Sequence, residues 1–202
     1  MRAIHFRRVA ILGLALIAAS CTASVREGTG TSFLIIQQLE AAPGAEPTDF
    51  GGTLNSDVVT VVEDVPTVFN DVARVVLALG LKDPGSSSSP NSPTQNQNQF
   101  VTLDRYRVRY LRADGRNTPG VDVPYGFDGG LTATVGVGTT EVGFQLVRHV
   151  AKQEAPLAAL ANGVVIISTI AEVTFFGRDQ TGHEVTATGR ISIDFGNFGD
   201  PD

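Results

Sequence analysis

The sequence predicts an all-β chain: an antiparallel two-sheet β-sandwich of about eight strands, with one short helix near residues 155–162. Three observations carry that prediction. Val, Ile and Thr run through nearly every apolar segment, and β-branched side chains suit a pleated, half-buried surface. Glycine occurs 22 times, which favours turns between short strands over long helices. Glu184 to Phe195 alternates strictly, with Val185, Ala187, Gly189, Ile191, Ile193 and Phe195 on one face and Thr186, Thr188, Arg190, Ser192 and Asp194 on the other. A period of two with one wet face belongs to an antiparallel sheet.

The chain begins with a different kind of segment. Met1 to Arg8 carries Arg2, Arg7 and Arg8, and Val9 to Ala19 then runs for eleven residues without a charged or polar side chain. Ala18-Ala19-Ser20 precede Cys21, the only cysteine. A basic start, a short apolar stretch and small residues before a cut make a secretory signal peptide, read here as residues 1–20. Eleven apolar residues fall short of the ~20 that a membrane-spanning helix needs. Ala18-Ala19-Ser20-Cys21 resembles the lipobox of bacterial lipoproteins, with Ala18 where that family most often has Leu. The resemblance implies that the Cys21 thiol takes a diacylglycerol thioether and that the chain is cut before it. Cleavage by an ordinary signal peptidase is the alternative, and it leaves an unpaired exported thiol with no partner for a disulfide. Thr22 to Gly30 is polar and short, a tether with a span of roughly 15–18 Å. The resemblance further implies an exported, membrane-anchored protein, in the outer membrane where the host is Gram-negative, since Thr22 stands where Asp would mark inner-membrane retention.

Residues 31–202 are read as one domain. Ser32 to Leu39 is apolar and β-branched, a first strand, and Asp57 to Glu63 is a second. Arg74 to Lys82 is a third, with Val75, Leu77, Leu79 and Leu81 on one face. Residues 84–98 contain no apolar side chain, so they bury nothing and read as a flexible insertion within the domain. Phe100 to Arg112 places Tyr106, Val108 and Tyr110 on one face and Arg105, Arg107 and Arg109 on the other. Leu131 to Val137 and Glu141 to His149 are strands, the latter turning Val142, Phe144 and Leu146 inward. Glu154 to Gly163 is helical, with Leu157, Leu160 and Ala161 as its stripe and Asn162-Gly163 as its end. Val164 to Arg178 is a long and mostly buried strand, joined by the turn Asp179 to Gly182 to the strictly alternating one. About eight strands at this spacing make two packed sheets. In general look the domain is similar to the immunoglobulin-like modules of bacterial envelope proteins, without a Trp or a cysteine pair of the antibody kind.

Charge narrows the partners. The chain has 15 Lys and Arg; loss of Arg2, Arg7 and Arg8 with the signal leaves 12 against 21 acids, a net charge of −9. That balance excludes a general nucleic-acid binder, which needs a basic footprint. Within it, Arg105, Arg107 and Arg109 form a row of cations ~6.5–7 Å apart along one strand face. Such a row meets a carboxylate, a phosphate or an acidic partner, or else it is a solvated face paired with acids on the next strands. Asp114, Asn117, Asp122 and Asp128 share one irregular stretch and are the kind of oxygen donors that Ca²⁺ takes. They lack EF-hand spacing, and turn chemistry accounts for the same residues, so no metal is assigned. His149 and His183 are the histidines of the mature chain, and no motif places either beside a nucleophile. No cofactor and no catalysis are expected. The expectation is a lipid-anchored cell-envelope protein, bound to the membrane through Cys21, acting as a structural or interaction module toward an envelope protein or an anionic partner. A small-ligand or ion-binding lipoprotein is the alternative, and an envelope enzyme the third reading.

Overall fold

The computed structural model describes residues 30–82 and 96–198. Cys21, the tether before residue 30 and all but the last residues of the 84–98 insertion lie outside them. Ten strands form: β1 (Ser32–Ala42), β2 (Thr53–Asp57), β3 (Thr60–Val62), β4 (Val65–Thr67), β5 (Asp71–Leu81), β6 (Val101–Leu111), β7 (Phe127–Val135), β8 (Thr139–Val147), β9 (Ile167–Asp179) and β10 (Glu184–Gly196). They make a three-stranded sheet in the order β1-β5-β8, a five-stranded sheet in the order β2-β10-β9-β6-β7, and the small hairpin β3-β4. The two larger sheets face each other across one apolar core, the two-sheet sandwich expected from the alternation. β1, β5 and β8 make one layer, and β10, β9 and β6 form the centre of the other. β7 lies at the edge beside β6, and it passes into β8 through Gly136 to Gly138 without a further strand.

The core follows from the period-two pattern. Leu77 and Val75 of β5, Leu146 of β8, Phe175 and Val173 of β9, and Ile193 and Phe195 of β10 are fully buried. Rings bridge the layers: Phe144 of β8 lies 5.0 Å from Tyr106 and 5.3 Å from Phe175, the latter edge to face. Tyr110 adds a polar stitch between sheets, its hydroxyl donating to the Leu146 carbonyl at 2.7 Å.

Four elements differ from the sequence reading. Asp57 to Glu63 is no single strand; β2 ends at Asp57, and the chain turns at Glu63 and Asp64, both with positive φ, into the β3-β4 hairpin. β2 also runs parallel to β10, so the sandwich is antiparallel except for this pair. The helix expected over Glu154 to Gly163 is only a 3₁₀ turn, Leu157–Leu160, and a separate four-residue helix, α1 (His149–Lys152), forms ahead of it. Leu157 and Leu160 are both buried, and a stripe of two residues three apart is the 3₁₀ period, too short to hold an α-helix. Val164 to Ile166 precede β9 and are exposed, Val164 at 99 %. β9 finds pairing partners only from Ile167 onward, so nothing covers them.

On β6 the alternation changes phase. Val101 and Leu103 are buried, then Tyr106, Val108 and Tyr110, and the register slips between Leu103 and Arg105 on both neighbouring strands. The extra residue of a bulge lets odd and even positions face the same core. Opposite it stands Gly177, where a Cβ would lie 2.5 Å from the Thr102 carbonyl oxygen.

A buried ion pair ties the loop-rich end together. The Lys152 Nζ of α1 lies 2.8 Å from Asp71 Oδ1 at the start of β5, with both side chains almost wholly enclosed. Lys152 also donates to the Asp57 carbonyl at 2.8 Å. Asp71 accepts in addition from the Gly44 amide at 2.9 Å and the Ser56 hydroxyl at 2.6 Å. Burial pushes the Asp71 carboxyl above the ordinary carboxylate range, against the pull of Lys152, Ser56 and Gly44.

Two outcomes follow from this architecture. Lys152→Met leaves Asp71 buried without its cation, a change that costs about 3–5 kcal/mol in such sites, measured by urea unfolding. In that variant burial acts on Asp71 unopposed by the amine. The folded state then binds a proton more tightly than the unfolded chain, whose Asp titrates near ~3.9, so the deficit should shrink as pH falls from 7 toward 4. Separately, β1 and β5 precede residues 83–95 while their partner β8 and the outer strands β6, β7, β9 and β10 follow. A chain cut at an engineered site in 83–95 should therefore remain one particle on gel filtration and melt in one transition.

Candidate functional site

The two ends of the sandwich differ in kind. At one end lie Gly30, the Asp179–Gly182 turn and residues 96–100. There Ser32 Oγ donates to the Gln99 carbonyl, Lys82 N donates to the Thr31 carbonyl, and a Cβ on Gly30 would stand 3.0 Å from Asp179 Oδ2. Of the connections at this end, β7-β8 and β9-β10 are tight turns, while β5 and β6 are joined by the long stretch from residue 82 to residue 100. The far end carries the 43–52, 58–70, 112–126 and 148–166 segments, gathered around the Asp71–Lys152 pair and the His149–Asn70 contacts. Most large apolar side chains that the fold leaves exposed are here, among them Val121, Tyr125, Val164, Val165 and Ile166.

The arginine row lies, as read, on the outer face of the five-stranded sheet. Two of its members converge on Asp128 of β7: Arg107 Nε is 2.6 Å from Oδ1 and Arg105 Nη1 is 3.1 Å from Oδ2. Both guanidiniums also cover the Phe176 ring of β9, at 3.9 Å for Arg105 and 5.7 Å for Arg107. Arg109 stands opposite Glu172 of β9, which in turn holds Arg190 of β10 at 2.8 Å. Arg178 and Glu184 continue the pattern at 3.1 Å. The row thus belongs to a lattice of cross-strand charges rather than to an uncompensated cationic patch.

The calcium candidates are not brought together. Asp128 is taken by the two arginines, while Asp114 is gripped by Arg112 and Arg116 at 2.7 and 2.8 Å. Asp122 Oδ2 accepts from the Thr118 amide and Asn117 Oδ1 from the Arg112 amide, both turn bonds. Among the described residues no three His, Asp or Glu side chains stand as a metal ligand set. His183 serves the β9-β10 turn: Asp179 Oδ1 accepts from Thr181 N, Thr181 Oγ1 and His183 N at 2.7–2.9 Å, and His183 Nδ1 is 3.2 Å from Oδ2.

A feature that the sequence reading passed over opens at the far end. The 43–52 segment and β2 enclose a groove of about 330 Å³, closed at one side by Phe198. Pro43, Phe50 and Phe198 give it apolar walls, and Glu46, Asp49 and Asp57 give it carboxylates. Among the described residues, no lysine or arginine lines it. Asp57 is held by neutral donors, the Thr60 hydroxyl at 3.0 Å and the Phe198 amide at 3.3 Å. Arg74 stacks on the Phe50 ring at 4.4 Å without entering the groove. The only hint in the sequence was Glu46-Pro-Thr-Asp-Phe50, which reads equally well as an ordinary turn; Phe198 arrives from the other end of the chain.

The charge lattice makes a definite prediction. Arg107, as the stronger hydrogen-bond partner, and then Arg105 hold Asp128 down at about 2. Its contribution to stability is present above the unfolded value of ~3.9 and is lost as pH falls through the folded one. Arg107→Glu should lower the melting temperature at pH 7, and the loss should shrink in 1 M salt, where the screening length is ~3 Å. Asp128→Asn should flatten the acid limb of the stability curve.

Compared with known proteins, the chain matches no family model and no curated sequence.

Proposed function

We propose that the protein is a lipid-anchored module of the bacterial cell envelope that presents the far end of its sandwich to a partner. Export and the lipid rest on the basic start, the eleven-residue apolar stretch and the single cysteine after Ala18-Ala19-Ser20. One observation carries the rest: the chain enters the fold at Gly30, at the end opposite the 43–52, 58–70, 112–126 and 148–166 segments and most of the exposed large apolar side chains. A lipid on Cys21 with a nine-residue tether holds the Gly30 end against the membrane and turns the 43–52, 58–70, 112–126 and 148–166 segments away from it. Two or more acyl chains anchor stably, since each buried CH₂ contributes ~0.8 kcal/mol. Among the described residues no helix is long and apolar enough to cross a membrane. The outer membrane of a Gram-negative host fits Thr22 after the cysteine.

Intact mass of the protein extracted from bacterial membranes should exceed the polypeptide beginning at Cys21 by two or three acyl chains. Cys21→Ala should shift the protein to the soluble fraction or leave it uncleaved. An unmodified mature chain would overturn the anchor.

A further inference from the structure

We infer that the groove between the 43–52 segment and Phe198 binds an arginine side chain presented by a partner polypeptide. An arginine is amphipathic along its length, an apolar stem ending in a planar cation. The groove is built to the same plan. Pro43, Phe50 and Phe198 line it with apolar surface, and Glu46, Asp49 and Asp57 surround that surface with negative charge.

The charge is unmatched, in contrast with the sheets. There Glu40 holds Arg74, Asp128 holds Arg105 and Arg107, Glu172 holds Arg190, and Glu184 holds Arg178. In the groove, among the described residues, the Asp57 carboxylate accepts from a hydroxyl and an amide, and no lysine or arginine lines the walls. Three carboxylates around an apolar cleft raise the local concentration of a cation and reward one that brings its own donors. The aromatic wall adds selectivity for a flat cation. The phenyl ring of Phe50 already carries the Arg74 guanidinium at 4.4 Å, and Arg74 itself does not line the groove, so a guanidinium is a partner this ring takes.

The identity of the occupant as part of another protein rests on the reading of the far end as the outward one. The binding itself does not, and the two can fail separately. The test titrates the purified full chain with Nα-acetyl-arginine amide and follows backbone amide resonances by NMR. Saturable shifts are expected at Phe50, Gly51 and Asn55, with affinity in the millimolar range suited to one exposed side chain. The neutral citrulline analogue, of the same shape, should bind at least about tenfold more weakly, and Glu46→Gln with Asp49→Asn should weaken arginine about three- to tenfold, the scale of two exposed ion pairs. The melting temperature of the double variant should be unchanged or higher. Silence of the groove resonances, equal binding of citrulline, or indifference to the double variant overturns the assignment. Tighter binding of the lysine analogue overturns the choice of a guanidinium. A lipidated chain with a silent groove refutes this inference and leaves the anchor; a responsive groove on an unlipidated chain does the reverse.

Discussion

The far end of this protein is organised by one enclosed ion pair. Lys152 comes from a four-residue helix and Asp71 from the first residue of a central strand, and both are almost wholly out of water. Neither charge survives such burial alone, so each enforces the position of the other. Their remaining hydrogen-bonding capacity reaches the Gly44 amide, the Ser56 hydroxyl and the Asp57 carbonyl, which belong to the segment before β2 and to β2 itself. The 43–52 segment, β2, α1 and the start of β5 are thereby held to one point. The walls of the groove, on the 43–52 segment and β2, take their position from this knot.

The sheets were readable in the sequence where burial alternates without interruption. β10 is the clearest case: Val185, Ile191, Ile193 and Phe195 face the core as the pattern required. β6 was readable only in part, because the bulge at Asp104 moves the buried set from odd to even positions, and a period count sees two half-patterns. Val164 to Ile166 misled for a different reason. Apolar content marks what a strand can bury, whereas burial also needs neighbouring strands that extend far enough, and β6 and β10 do not.

The candidate sites were less readable than the fold. Arg105, Arg107 and Arg109 were placed correctly on one face, but the acids that meet them, Asp128 and Glu172, depend on strand order and register, which one strand's sequence does not encode. Asp71 and Lys152 are 81 residues apart, and nothing in their surroundings distinguishes a buried charge from a surface one. The groove joins residues near 50 to Phe198 across the whole chain.

The placement of β1 bears on how the domain carries load. β1 begins two residues after Gly30, runs to the far end, and pairs antiparallel with β5 from Ser32↔Leu81 to Ala42↔Val72. A pull at residue 30 against a weight held at the far end acts along these strands rather than across them. The hydrogen bonds of the ladder are then strained together in shear, where a hairpin opened from its end would lose them one after another. Leu34 and Ala41, buried beneath the same strand, must slide with it. A tensile force that enters through the N-terminus therefore meets the strand built to resist it.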